Sequence, residues 1–453
     1  MKITDLNTEG GIGANSLLAE IGPFRLLIDA GLNPKKLGLS ALPNFDLIED
    51  YSLDFIILTH CHLDHLGALP VILRKQPQAK ILVSVATRTL APRMLRNSYN
   101  VMKRQREEHG IDAYPLYNRL DINFCEQHMF PLRFGKPYSF QAGNEQLSLT
   151  LHSSGHLPGA AGCEIDYRHR KILFTGDVLF RGQRTLKGAR LPQNGFDTLV
   201  METTRGARQR ADDQSRDVEI GRLLDAINHS IEQGGSCLIP VFALGRMQEM
   251  LTLLHEARKE GRLVDCPIYS SGLGMDLANY FDRISRKDSL LNFRRRIIRD
   301  LSIRKPNWTA VRPGRDLSEK GLYLISSGML VEETPSYRIA SSLLGHPHNA
   351  IFFVGYCDPD TPGGRLLATP QESPFVFETL EHVENVRAHI AQFDLSSHAD
   401  REELRDFALC GNPRAIVLTH GDPEARDWFS AQFSEHMPQV QVTDPVPLKP
   451  YWV

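Results

Sequence analysis

The chain has 453 residues, with Lys+Arg 52 against Asp+Glu 54, so it is long enough to bury more than one core. The near balance of charge excludes a globally basic nucleic-acid coat, and any attraction to phosphate must be local. Seven scattered cysteines form no Cys-x-x-Cys, which argues against a disulfide framework and for a reducing cytoplasm.

In chain order, the first segment with chemistry is Arg25-Leu-Leu-Ile-Asp29-Ala-Gly31, an apolar strand ending in one carboxylate. The segment 53–59 (LDFIILT) reads as another strand, and it stops at His60-Cys61-His62-Leu-Asp64-His65. Leu66-Gly-Ala-Leu69 reads as the start of a helix, which leaves the histidines on a strand-to-helix loop. Such a loop can point His60 and His62 at one centre and Asp64 and His65 at another. Imidazoles with a carboxylate suit Zn²⁺, and two neighbouring metals are a common device for in-line displacement at phosphorus. A His-rich surface turn is the bland alternative; Cys61 should point away from any metal. Farther on, Lys103-Arg104-Gln-Arg106 precedes two glutamates and reads as helix charge pairing. Ser153-Ser-Gly-His156-Leu-Pro-Gly159 is a turn carrying one histidine, and Lys171-Ile-Leu-Phe-Thr-Gly-Asp177 is again a strand ending in a carboxylate. Loops at strand ends hold side chains with small positional error.

Beyond about residue 206 the pattern changes. Ile220, Leu223, Leu224, Ile227 and Ile231 make a helical stripe that stops at Gly234-Gly235. Residues 237–243 read as a buried strand, 246–259 as a helix, and 322–326 and 351–354 as further strands; the alternation suggests a parallel sheet. Arg294-Arg-Arg296-Ile-Ile-Arg299, then Arg304, Lys305 and Trp308, form the densest basic cluster. A basic stripe with an aromatic can track a single strand, and a solvated helix face is the alternative. His346-Pro-His348 imitates a ligand pair but lacks nearby carboxylates, so a loop is favoured. Helix 402–409 and strand 415–419 fit a return to the first part of the chain. The N-terminus has no basic region followed by an apolar stretch, and no apolar run reaches membrane-span length.

His-x-His-x-Asp-His, with a strand-end Asp upstream, a Gly-His and then a Gly-Asp downstream, resembles the metallo-β-lactamase superfamily through about residue 205. By that resemblance His60, His62 and His156 hold one zinc, Asp64 and His65 hold a second, and Asp177 bridges them. Asp29 then lies behind the ligands and orients their loop. Glu202-Thr-Thr-Arg-Gly206, Ser396-Ser-His398-Ala-Asp400 and Ile416-Val-Leu-Thr-His420-Gly-Asp422 resemble the β-CASP branch, which acts on nucleic acids. Pro240-Val-Phe-Ala-Leu-Gly-Arg246-Met-Gln-Glu249, Ser326-Ser-Gly-Met-Leu330 and Gly355-Tyr356 strengthen the likeness. It is nearest to the compact bacterial and archaeal relatives of the endonuclease subunit that cuts pre-mRNA before polyadenylation.

The resemblance implies an α/β protein: an αββα sandwich from residues 1–205 and 386–453, with an inserted α/β β-CASP domain at 206–385. It implies that His420 completes the second zinc site and that Asp64, Glu202 and His398 are catalytic. Glu202 would raise the basicity of His398, which then protonates the departing 3′-oxygen. Arg205, Arg246, Ser327 and Arg365 become candidate nucleic-acid contacts, and Gly363-Gly364 could approach phosphate through backbone amides.

Three runs depart from the family pattern. Thr203-Thr204-Arg205-Gly206 stands where Ser-Thr-Tyr-Gly is usual, Val331-Glu332-Glu333 replaces a small turn, and Cys357-Asp-Pro-Asp-Thr361-Pro-Gly-Gly is more acidic. They bear on RNA against DNA and on internal against end-dependent cutting. The expected activity is a two-zinc phosphodiesterase cutting single-stranded RNA internally, with a 5′-to-3′ exonuclease mode also in view. A DNA nuclease of repair or defence, and a non-catalytic nucleic-acid-binding subunit, are the alternatives. The expected partner is single-stranded RNA, with DNA second and no membrane. With no added RNA-binding domain at either end, affinity is expected to need a partner protein; a homo-oligomer is also in view.

Overall fold

The computed structural model describes residues 1–210 and 215–453, and the chain divides into two compact units. The first takes Met1–Gly182, Gly188–Arg210 and His398–Val453; the second takes Gln183–Lys187 and Ala211–Ser397, described from residue 215 on.

Among the described residues the first unit contains two seven-stranded sheets. One runs Pro450–Trp452, Lys2–Asp5, Leu17–Ile21, Phe24–Ile28, Phe55–Ile57, Lys80–Ser84, Met129–Leu132. The other runs Gln441–Thr443, Ala415–Thr419, Thr198–Glu202, Arg170–Phe174, Ala161–Tyr167, Glu145–Ser153, Tyr138–Ala142. Strand Glu145–Ser153 shows why they face one another: Leu147, Leu149 and Leu151 alternate with more exposed residues, so one face is apolar. That face meets Ile3, Leu17, Ile28 and Ile57 of the first sheet in one continuous core. Helices Val85–His109 and Arg119–His128 pack on the first sheet. Arg401–Gly411 and Pro423–His436 cover the second through Leu404, Phe407, Phe429 and Phe433. The layers are helix, sheet, sheet, helix.

The centre of each sheet is parallel, and this positions the site. Phe24–Ile28 pairs with Phe55–Ile57, and Arg170–Phe174, Thr198–Glu202 and Ala415–Thr419 pair in sequence. Asp29, His60, Asp177, Glu202 and His420 all lie at or just past the carboxyl ends of these strands, where parallel sheets present ligands.

In the second unit, Ile268–Tyr269, Leu322–Ile325, Cys237–Pro240, Ala350–Val354 and His389–Phe393 form an all-parallel sheet. Residues Cys237 to Pro240 and Ala350 to Val354 are buried throughout, the signature of strands covered on both faces. Because His389–Phe393 pairs with Ala350–Val354, the second compact unit runs on to Ser397.

Helix Arg246–Lys259 and strand Ala415–Thr419 coincide with the segments read from the sequence. The helix expected from Leu66 differs. A single turn, Leu63–Leu66, precedes Leu69–Lys75, because the amides of His65 and Leu66 bond back to the His62 carbonyl. Asp64 and His65 therefore sit on a helical turn and not on an open loop.

Candidate metal centre

The site is assembled outward from Asp29. This fully buried residue has φ 62°, a left-handed conformation that Asp tolerates better than most residues. Its carboxylate accepts from the Thr59 amide, the Thr59 hydroxyl and His65 Nδ1, each at 2.7 Å, and from Asn15 Nδ2 at 3.3 Å. The bond to Nδ1 leaves His65 Nε2 with its lone pair free to face the centre. Gly31 holds the histidine turn close: its amide donates to the Asn15 carbonyl, and the Asn15 amide donates to the Asp64 carbonyl. A Cβ on Gly31 would lie 1.6 Å from the Asp64 carbonyl oxygen.

Two ligand groups follow. His60, His62, His156 and Asp177 each bring one ligand atom within 4.8 Å of the others, and Asp64, His65 and His420 do the same. Asp177 faces both groups. Its Oδ2 lies 3.5 Å from His60 Nε2, 3.7 Å from His156 Nε2 and 3.4 Å from His65 Nε2; Oδ1 lies 3.2 Å from His420 Nδ1.

The donors fit metal ions on their own geometry. His60 Nε2 is buried with no hydrogen-bond partner among the described residues. His156 Nε2 faces His62 Nδ1 at 3.2 Å, and His65 Nε2 faces His420 Nε2 at 3.3 Å. Imidazole lone pairs converging this closely repel unless a proton or a cation lies between them. Cys61 is buried and turns away, its thiol on the Thr87 carbonyl.

Electrostatics favour cation binding. Burial holds His60 and His62 below the usual imidazole range, in the neutral form that ligates. Burial opposes ionisation of Asp177, yet His420, His65 and His60 keep its carboxyl well below the usual range. Burial also pulls His65 down, but Asp177, Asp29 and Asp64 outweigh it and hold that imidazole well above its usual value. A bound cation would displace that proton.

Beside the ligands, both carboxylate oxygens of Glu202 lie near His398 Nδ1, at 3.1 and 3.0 Å. The Val178 amide donates to Glu202 Oε1 at 2.7 Å, and the Glu202 amide donates to the Thr175 hydroxyl. The other ring nitrogen of His398 is 3.9 Å from Asp177 Oδ2, so the imidazole runs from Glu202 to the centre. Burial opposes its protonation, and the charge and hydrogen bond of Glu202 outweigh burial to raise its pKa.

The candidate nucleic-acid contacts fare unevenly. Arg205 is buried and 3.3 Å from Asp400 Oδ1, while Arg210 is 2.9 Å from Oδ2 of the same residue. In the second unit Arg246 is buried, its pKa pulled down to about 10 by burial and by Arg216. The Ser327 hydroxyl accepts from the Met329 amide at 3.5 Å. Arg365 is exposed and 3.5 Å and 3.3 Å from Glu332 and Glu378. The amides of Gly363 and Gly364 are already taken by the Met329 carbonyl and the Thr361 hydroxyl, because they open helix Pro362–Ala368. Lys103 and Arg104 pair with Glu107 and Glu108 at 3.9 and 3.5 Å. No metal-ligand group among the described residues includes His346 or His348.

Sequence reasoning missed the supports. Thr59 bonds Asp29 and lies 3.1 Å from His60 Nδ1; Asn15 lies 3.1 Å from His65 Nδ1; the Thr204 hydroxyl lies 3.1 Å from His420 Nδ1. Only Thr59 carried a signal, as the last residue before the histidine run.

Comparison with known proteins gives three matched segments. The metallo-beta-lactamase superfamily model matches residues 10–218, the Beta-Casp domain 247–366, and the Zn-dependent metallo-hydrolase RNA specificity domain 383–442. The chain is 29% identical to transcription termination factor FttA of Pyrococcus abyssi, over 94% of this chain and 67% of that protein. It is 25% identical to probable RNase MJ4 of Methanocaldococcus jannaschii, over 91% of each. It is 26% identical to cleavage and polyadenylation specificity factor 73 of Drosophila melanogaster, over 93% of this chain and 60% of that protein. A crystal structure of a protein of unknown function from Enterococcus faecalis V583 shares the fold, with a TM-score of 0.53, 12% identity and 99% of each chain covered.

Proposed function

We infer the function from a family premise: the chain belongs to the metallo-beta-lactamase superfamily, in the branch that carries the Beta-Casp insertion. It is a metal-dependent hydrolase of the β-CASP nuclease family. The reading we propose within that family is a two-zinc endoribonuclease acting on single-stranded RNA. The Glu202–His398 pair carries it, because a protonated imidazole aimed at a cluster of metal-capable side chains is what a departing 3′-oxygen needs.

Two zinc ions, one in each ligand group, would lower the pKa of a water toward neutrality and offset charge on the phosphate. His398 then gives the proton on its other ring nitrogen to the 3′-oxygen as the oxygen of water bonds to phosphorus and the P–O3′ bond breaks. Glu202 stabilises the imidazolium before transfer and fixes which nitrogen carries the mobile proton. The products are a 3′-hydroxyl and a 5′-phosphate. The RNA specificity segment at 383–442 and the names of the relatives support RNA over DNA. The depth of His60, His65 and His156 supports a single strand, which bends into a recess where a stiff duplex does not.

The test is cleavage of matched 5′-labelled single-stranded RNA and DNA by metal-replete protein, with a zinc count and Asp64→Ala in parallel. Internal RNA cuts, about two zincs per chain and a dead variant are expected. Preferential DNA cutting would move the protein to the repair or defence alternative. Metal binding without cleavage of either would leave the non-catalytic subunit.

A further inference from the structure

We propose that an arginine-lined concavity in the second unit binds the phosphate backbone of the RNA substrate. It has a volume of about 770 Å³ and is lined by Arg286, Arg294, Arg295, Arg296 and Arg299 with Asp282. The proposal rests on the RNA-cleaving reading for the identity of the polyanion, and adds a contact that none of the metal-site residues supplies.

Five guanidinium groups converge on the concavity, and few are neutralised. Asp282 takes Arg286 Nε at 2.8 Å and the backbone amide of Arg295 at 3.0 Å. Arg294 donates to the Phe293 carbonyl at 3.0 Å, and Arg299 is 3.5 Å from Asp300. Arg295 and Arg296 are exposed, and their side chains have no carboxylate partner among the described residues. Like charges gathered on one surface repel and add nothing to the core beneath, which is closed by Phe281, Phe293 and Ile297. The cost is recovered when an anion enters. Guanidinium forks match phosphate oxygens in pairs and shed water easily. A concave wall of one sign also focuses the field.

The polyanion is taken to be RNA backbone because capture must be local in a chain whose charges balance overall. A nuclease also gains by holding its strand at more than one place.

The test compares wild type with the Arg295→Ala/Arg296→Ala/Arg299→Ala variant of the whole, metal-replete protein. Anisotropy is read with a cleavage-resistant phosphorothioate RNA of roughly 30 nucleotides, and cleavage with a short RNA of about 8. The variant should bind the long RNA about tenfold more weakly, with a log–log salt slope shallower by about 2, since each lost phosphate contact on a single strand removes about 0.7. Cleavage of the short RNA should be unchanged. Equal affinity and equal slope would overturn the proposal, as would a variant that loses a polyglutamate peptide but keeps RNA. RNA held through these arginines yet never cut would retain the pocket and sink the nuclease reading. RNA cut with the arginines indifferent would do the reverse. Arg295→Glu/Arg296→Glu, on exposed positions that leave the core intact, should deepen the loss.

Discussion

The carboxylate of Glu202 meets a single nitrogen of His398 with both oxygens, while the opposite edge of that ring looks toward Asp177. One end of the imidazole is thus held by a buried anion, and the other is left for chemistry. A residue with a packing role alone would not need this polarity.

His398→Ala should slow cleavage on the order of a hundredfold or more with metal content unchanged, because the imidazole lies outside the His60–His62–His156–Asp177 and Asp64–His65–His420 groups and meets only Asp177 and Glu202 in a third. Single-turnover cleavage beside a metal count checks it. Turnover at the wild-type rate would remove His398 from the leaving-group step.

Glu202 also sets a pH dependence. The raised pKa of His398 extends its acid form to higher pH than an ordinary imidazole allows, and that form is lost as pH rises through the raised value. Rate should therefore fall on the alkaline side. Glu202→Gln removes the charge that raises the pKa, so the alkaline limb should move to lower pH. A kcat/KM profile with an unmoved limb would contradict the pairing.

Asp64→Ala and His156→Ala each remove a ligand from one group. Both should lose metal and cleavage together, and zinc should restore a chelated wild type but not the variants. Retained metal at full stoichiometry in either would rule out ligation by that residue.

Asp29 acts at one remove. Asp29→Asn weakens its hold on His65 Nδ1 and on the Thr59 amide and hydroxyl. Metal affinity should drop about 10–100-fold, read by competition with a chelator, without outright unfolding.

Gly31→Ala should be costly for a different reason. A Cβ there falls on the Asp64 carbonyl, so the histidine turn must move as a body. A loss of about 2–4 kcal/mol together with weaker metal binding is expected, from denaturant unfolding and metal titration. A stability equal to wild type would mean that the turn is free to shift.

Some of the candidate ligands were legible because each follows an apolar strand and is the first residue there able to bind metal. His60, Asp177 and His420 were legible in that way, as was Asp29 behind them, and the sheets bring the strand ends together. The fold was legible for the same reason, since buried parallel strands read as short apolar runs. Hydroxyl and amide supports such as Asn15 and Thr204 have no spacing signature, and their partners lie far away in sequence. Arg365 looked available because Glu332 and Glu378 reach it only after folding. The mixed composition of His389–Phe393 (HIAQF) does not announce that it pairs with Ala350–Val354 in the second unit.

Asp64 and His65 are synthesised well before His398 and His420. Chains grow from the N-terminus and their domains fold as units. A chain grown only past His65 therefore holds part of the candidate ligand set without His398 or His420. The candidate site is complete only once the early histidine run and the later histidines have both been made.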